Sequence, residues 1–452
     1  MGTETVRTGA LDEAAELRRE QRGWYFYDWA CSVYSTSVLT VFLGPYLTSV
    51  AEHAADADGY VHPLGVPVRA GSFFAYSVSL SVILAVVLMP LVGSAADRTG
   101  RKKHLLGAAA YTGAAATTGM FFLDGDRYLL GGVLLIVANA AQSVALMLYN
   151  SYLPQIAPPE ERDAISSRGW AFGYLAGSLV LIVNLVLYSA HDSFGLSETE
   201  AVRICLAAAG LWWGAFTLVP LRRLRDRGGR GGPAAAEATA PGLRQLAATV
   251  RDMRRHPLTL SFLLAYLIYN DGIQTVISQA SVYGSEELGL GQSTLIGAVL
   301  LVQVLAVAGA LTMGRLARTY GAKRTILGSL VAWTVTLAAG YFLPTGAPVW
   351  FFVLASGIGL VLGGSQALSR SLFSHLVPPG KEAEYFAAYE MSDRGMSWLG
   401  PLLFGVTYQL TGSYRSAIIS LVAFFVIGFA LLARVPVRRA IVEAGNPVPQ
   451  KI

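Results

Sequence analysis

The chain is 452 residues long, 54% hydrophobic and only 14% charged, with a formal net charge of +5. Soluble domains carry roughly 25% charged residues, so these figures exclude an ordinary soluble protein. The positive excess gives no reason to expect a nucleic-acid partner, because it is divided among the connections between apolar runs instead of being gathered in one patch.

Apolar runs of about 20 residues mark helices that cross a bilayer. Twelve are predicted, at 25–50, 70–96, 104–123, 129–153, 169–190, 201–221, 257–283, 292–313, 325–343, 347–369, 385–410 and 414–433. They define an all-α integral membrane protein with six-helix bundles at 25–221 and 257–434. Around them lie a polar segment 1–24, a linker 222–256 and a tail 435–452. The leading segment lacks the pattern of a cleavable signal peptide. Of 34 Lys and Arg residues, 29 fall on the side that holds both termini and the linker; only Arg69, Arg127, Arg203 and Arg415 fall on the other. Basic loops face the cytoplasm, so both termini are expected there, with the chain in a cell's inner (plasma) membrane. In the linker, Leu243, Leu246, Val250 and Met253 recur at helical spacing. They suit a helix lying on the inner membrane surface or one packed on cytoplasmic loops.

Ionisable groups inside a bilayer are costly unless they are paired, hydrated or protonated. In span one, Asp28 shares a face with Ser32 and Ser35 amid Trp24, Tyr25, Tyr27, Trp29 and Tyr34, and Gly44–Pro45 is expected to bend the span. Span four carries Asn139, Gln142 and Ser143 on one face, and Asn150 further along. Cys31 and Cys205 lie in apolar runs without metal-ligand spacing and read as packed thiols. In span seven, "AYLIYNDGIQTV" (265–276) sets Asn270 beside Asp271. With Gln274, Thr275 and Ser278 they form a polar stripe on one helix, which suggests a wetted wall. Span ten offers Ser365, Gln366 and Arg370, and span eleven Glu390, Asp393 and Arg394. Glu390 and Arg394 stand four apart, a favourable intrahelical pair. Asp271 is either an ion-pair partner of Arg394 or a proton or substrate site, and Asp28 with Arg168 repeats the arrangement in the first half. Gly169, Gly173 and Gly177, with Gly359 and Gly363, suit close helix crossings.

The halves echo each other. "GSAADRTGRKK" (93–103) matches "GRLARTYGAKR" (314–324), with Gly93 on Gly314 and Gly100 on Gly321; parallel repeats of this kind generate a two-fold axis along the membrane normal. The first string, between spans two and three, resembles the signature loop of the major facilitator superfamily. "GWYFYDWACSVYST" (23–36), "SSRGWAFGYLAG" (166–177), "YNDGIQT" (269–275), "GGSQALSRSLF" (363–373) and "EMSDRGMSWLGPLLFG" (390–405) resemble its vacuole-effluxer branch, which includes fungal vacuolar amino-acid exporters. The resemblance implies a central path lined by spans one, four, seven and ten. Physically, Gly93, Asp97, Arg98, Gly100 and Arg101 suit a cytoplasmic latch: Asp97 faces a helix N-terminus and Arg101 meets Glu160 or Glu161. Lys102 and Lys103 read as topology anchors.

No phosphate-binding loop, hydrolase motif or metal cluster is present in the string, so no cofactor and no enzymatic activity are expected. The expected protein is a monomeric, proton-coupled, alternating-access transporter of a small solute. Amino acids or related amphiphiles lead, with Asp28, Ser32, Tyr34, Asn139, Gln142, Asn270, Asp271, Gln274 and Gln366 on the pathway. Arg168, Arg370, Glu390, Asp393 and Arg394 are the pairing or coupling charges. A proton-linked exporter of lipophilic drugs and a non-transporting receptor or scaffold on the same fold are the alternatives.

Overall fold

A computed structural model describes residues 2–227, 251–395 and 399–452; the side chains of residues 2–14, 281, 292–293 and 394–395 lie outside the description. Helices dominate. Helix α1 (Gly2–Val33) runs into a π-wound segment, Tyr34–Phe42, and on into α2 (Leu43–His53). Then follow a two-stranded hairpin of β1 (Tyr60–Val61) and β2 (Val68–Arg69), α3 (Phe73–Thr99), α4 (Lys102–Gly119), α5 (Tyr128–Asn150) and the single turn α6 (Leu153–Ile156). After these come α7 (Arg162–Ser189), α8 (Glu198–Arg223), α9 (Pro257–Val282), α10 (Gln292–Tyr320), α11 (Ala322–Tyr341) and α12 (Pro348–His375). The chain closes with α13 (Glu382–Gly395), α14 (Leu399–Thr411), α15 (Tyr414–Ser420), α16 (Val422–Arg434) and α17 (Val437–Glu443).

Among the described residues, nine helical stretches are long and apolar enough to cross a membrane. They coincide with nine of the expected spans. The third, ninth and eleventh spans coincide with α4, with α11, and with α13 followed by α14. These carry more small, polar or charged residues, such as the "KKHLLGAAAYTGAAATTG" of α4.

Span one does not simply bend at its proline. The turn widens ahead of it: the Leu43 amide donates to Val38 O, five residues back, and the Thr40 hydroxyl to Ser35 O at 2.7 Å. Pro45 has no N–H to offer, and π-type turns are rare and concentrate at functional sites.

The chain divides into two compact units, Met1–Tyr149 with Leu175–Gly242, and Asn150–Tyr174 with Leu243–Ile452. The second unit therefore holds a segment that the hydropathy reading assigns to the bundle at 25–221. In the first unit, α4 and α8 touch backbone to backbone: a Cβ on Gly210 would lie 2.4 Å from Thr118 N. In the second, α10 and α12 do the same, since a Cβ on Gly363 would lie 2.2 Å from Ala306 O. The repeated loop is visible in the backbone. Gly100 (φ 67°) closes α3 with its amide on Ala96 O, and Gly321 (φ 91°) closes α10 with its amide on Ala317 O.

Candidate solute pathway and coupling site

In the first unit, the buried polar groups meet in short local contacts. The Tyr149 hydroxyl donates to Asp28 Oδ2 at 2.5 Å, while the Trp24 indole donates to Tyr149 O at 2.9 Å and stacks on its ring. Gln142 Nε2 donates to Ser35 Oγ at 2.7 Å, and Asn139 Nδ2 to Ser81 Oγ at 2.6 Å. Ser32 is half-buried. Tyr34 is fully buried with its ring 5.6 Å from Trp213. Within the first unit, Asp28 takes the Tyr149 hydroxyl; Arg168, its expected partner, is exposed.

The second unit links its polar groups into chains. Gln366 Nε2 donates to Asn270 Oδ1 at 2.7 Å; Asn270 Nδ2 donates in turn to Asp393 Oδ1, which also accepts from the Tyr266 hydroxyl at 3.2 Å. Both ends of the Asn270 amide are used, so its orientation is fixed. A second chain runs from Glu390, which accepts from Asn150 Nδ2 at 2.7 Å, to Arg370 Nη1, which donates to Asn150 Oδ1 at 3.1 Å. Arg370 is 2% exposed. It also donates to Ser166 Oγ and Ser166 O, both at 2.9 Å, and lies 5.4 Å from the Trp170 ring. The Tyr389 ring stacks on Tyr266 (4.4 Å) and Phe373 (4.9 Å), walling these groups in.

The same α12 surface holds the start of α7. Arg162 donates to Ser374 O at 2.9 Å, and the Ser371 hydroxyl to Asp163 Oδ1 at 2.6 Å. The last carbonyls of a helix lack intrahelical partners and carry partial negative charge, so a guanidinium there is well placed. These bonds explain why Asn150–Tyr174 belongs to the second unit.

Asn270 and Asp271 turn to different neighbours, as residues about 100° apart on a helix must. Asp271 is 2% exposed; its Oδ2 accepts the Gly400 amide at 2.8 Å, and its Oδ1 has no partner among the described residues. The ties expected from Arg394 to Asp271 and Glu390 fall on a side chain outside the description. Along the polar stripe of α9, Thr275 donates to Asp271 O (2.7 Å) and Ser278 to Thr275 O (3.0 Å), each using its proton on its own helix. Gln274 is half-buried.

At the repeated loop, Asp97 pairs with Lys102 at 3.0 Å, with side chains only 5% and 6% exposed. Lys102 is thus no mere topology anchor: its charge is paired inside the first unit. Arg98 donates to Ser94 O at 3.3 Å, Gly93 is buried, and Arg101 is exposed. The linker's first residues alternate between helices. Arg225 and Arg227 bind Glu16 and Glu20 of α1, while Asp226 accepts the Lys103 amide at 2.7 Å. At the linker's other end, Leu243, Leu246 and Val250 lie outside the described residues, and Met253 is buried against protein. Burial alone would raise the Asp252 carboxyl, but Lys381 and the Tyr385 hydroxyl hold it below the ordinary range. Among the described residues, no cluster of three His, Cys, Asp or Glu side chains could hold a metal ion.

Sequence reasoning missed Tyr149, Arg162, Ser166 and Trp170. "SSRG" (166–169) stood out as a repeat of "SDRG" (392–395), but nothing local to it announces a bond to span ten.

Solved structures share this fold. The proton:xylose symporter XylE bound to 6-bromo-6-deoxy-D-glucose aligns with 93% of this chain and 95% of its own, at TM-score 0.67 and 14% identity. A bacterial homologue of the iron transporter ferroportin, in an outward-facing state, aligns with 93% and 98% at TM-score 0.65 and 15% identity. The architecture is the all-α, multi-pass major facilitator fold. The chain belongs to the vacuole effluxer Atg22-like family, whose model matches residues 16–445. The uncharacterised MFS-type transporter YxiO of Bacillus subtilis is 30% identical over 92% of this chain and 95% of its own. Autophagy-related protein 22 of Pyricularia oryzae is 26% identical over 90% and 74%. The protein is a membrane transporter by family.

Proposed function

We propose that this protein is a secondary active, proton-coupled transporter working by alternating access, with amino acids or related amphiphilic metabolites as its solutes. The observation that carries the reading is Asp271: a buried carboxyl, the one charged residue of α9, with one oxygen unpartnered among the described residues. Burying a charge without a pair is costly, so a carboxyl so placed suits a group that exchanges a proton. Within the first unit, Asn139 Oδ1 is an acceptor without a partner among the described residues, and within the second unit the half-buried Gln274 amide offers donors and an acceptor; each suits a charged end of an amino acid. The family's description as vacuole effluxers supports small-solute transport, and the distribution of basic residues supports a plasma-membrane protein with cytoplasmic termini.

The test has two parts. A thermal-shift screen of the purified protein against amino acids, peptides, sugars and nucleosides identifies the solute class, since ligand at a hundred times its Kd stabilises by roughly 2.7 kcal/mol. In proteoliposomes, Asp271→Asn is expected to abolish proton-driven accumulation of that solute while leaving exchange. An unaltered pH dependence would refute proton coupling at this residue.

A further inference from the structure

We propose that Asp271 is a proton-controlled cap on α14, so that its protonation sets how firmly the second half of the eleventh span is seated; this rests on the proton-coupling reading above. The first amides of a helix have no intrahelical acceptor. In α14 one of the first three positions, Pro401, has no amide hydrogen at all, and the Gly400 amide is taken by Asp271 Oδ2 from α9 at 2.8 Å. The approach is built for a glycine: a Cβ at position 400 would lie 1.9 Å from Thr275 Oγ1 and 3.2 Å from Asp271 O. The carboxyl is 2% exposed, and its second oxygen is unpartnered among the described residues. Among the described residues, the cap therefore has one bonded oxygen and one left for a proton.

Among the described residues, the Asp271 carboxylate is left to this contact. From α16, Phe424 and Phe425 press on Gly272, the next residue along. On α13, Asp393 is engaged by Asn270 and Tyr266, and on α9 the Tyr269 hydroxyl goes to Ser369. Arg394 of α13 has its side chain outside the description. A carboxylate at a helix N-terminus gains from the helix dipole and from a charge-assisted hydrogen bond. Adding the proton removes the charge and leaves a weaker acceptor. Proton uptake loosens the start of α14, and proton release seats it.

The experiment is hydrogen–deuterium exchange of the full chain in lipid nanodiscs, following α14 amides over a pH series and correcting for the intrinsic pH dependence of exchange. In the wild type, protection is expected to rise about tenfold from the acidic to the alkaline end, the worth of a charge-assisted bond. Asp271→Asn keeps an acceptor but cannot titrate, so its protection stays flat with pH. Gly400→Ala keeps the carboxyl but forces the helices apart, so α14 exchanges fast at every pH while α10 and α12 retain their protection. A flat wild-type profile, or a wild-type-like profile in either variant, overturns the cap. Paired proteoliposome assays separate the two ideas. Transport that loses its pH dependence in Asp271→Asn, beside a flat wild-type exchange profile, sinks the cap alone. A pH-dependent exchange profile beside pH-independent transport sinks proton coupling alone.

Discussion

Lys102 and Lys323 hold the same place in the two copies of the repeated loop, yet their charges end differently. Lys102 lies 3.0 Å from Asp97 in a buried ion pair. In the second copy Arg318 stands where the first has Asp97. Lys323 donates instead to Ala433 O and Val435 O at the end of α16, both at 2.8 Å. The backbone turn survived duplication in both copies, with its left-handed glycine, whereas the electrostatic partner did not. A lysine needs negative charge from somewhere, and a helix C-terminus supplies it when no carboxylate does. In both interiors one amide serves two partners: Gln142 Nε2 donates to Ser35 Oγ and Cys31 O in the first unit, and Asn150 joins Glu390 to Arg370 in the second.

The sharpest break in this comparison is Asp97→Ala, which removes the carboxylate paired with a buried ammonium. It is expected to cost about 3 kcal/mol, read as a lower thermal midpoint of the purified protein, with most of the loss recovered by adding Lys102→Met. Asn150→Ala comes next, at about 2 kcal/mol, because one amide serves both Glu390 and Arg370. Tyr149→Phe in the first unit, which removes a hydrogen bond to the Asp28 carboxylate, should cost about 2 kcal/mol as well; a loss near zero would show that Asp28 does not depend on that hydroxyl. Lys323→Met, which frees only helix-end carbonyls, is also expected near 1 kcal/mol, and a cost matching Asp97→Ala would make the two lysines equivalent after all. The smallest effect belongs to Asp252. Its folded-state value is depressed, so its stabilisation is present above the ordinary carboxylate range and fades as pH falls through the folded value. Acidification should therefore expose a cysteine placed at Met253 to thiol reagents, and Lys381→Met should remove that pH dependence.

Much of this architecture is legible in the string, because a bilayer demands long apolar helices and duplicated loops keep their glycines. The polar residues were legible too, but not their partners. Asn270 and Asp271 are adjacent in sequence and diverge in space, and only the packing of α12, α13 and α14 around α9 decides which neighbour each meets. Arg394 looked like the natural mate for Asp271, but its side chain lies outside the described residues; the Gly400 amide that Asp271 does meet is announced by no charge pattern. Arg162 and Ser166 read as loop residues, since their bonds reach α12 across some two hundred positions.

That separation bears on how the protein is made. Ser166 leaves the ribosome 201 residues ahead of Ala367, whose carbonyl its hydroxyl seeks, and 204 ahead of Arg370. The opening turns of α7 must therefore wait, with Arg162 still in reach of water, until span ten has been translated and inserted. A nascent chain halted at the linker is an unfinished fold, and a chain begun after the linker would assemble its second unit without the segment that braces Arg370.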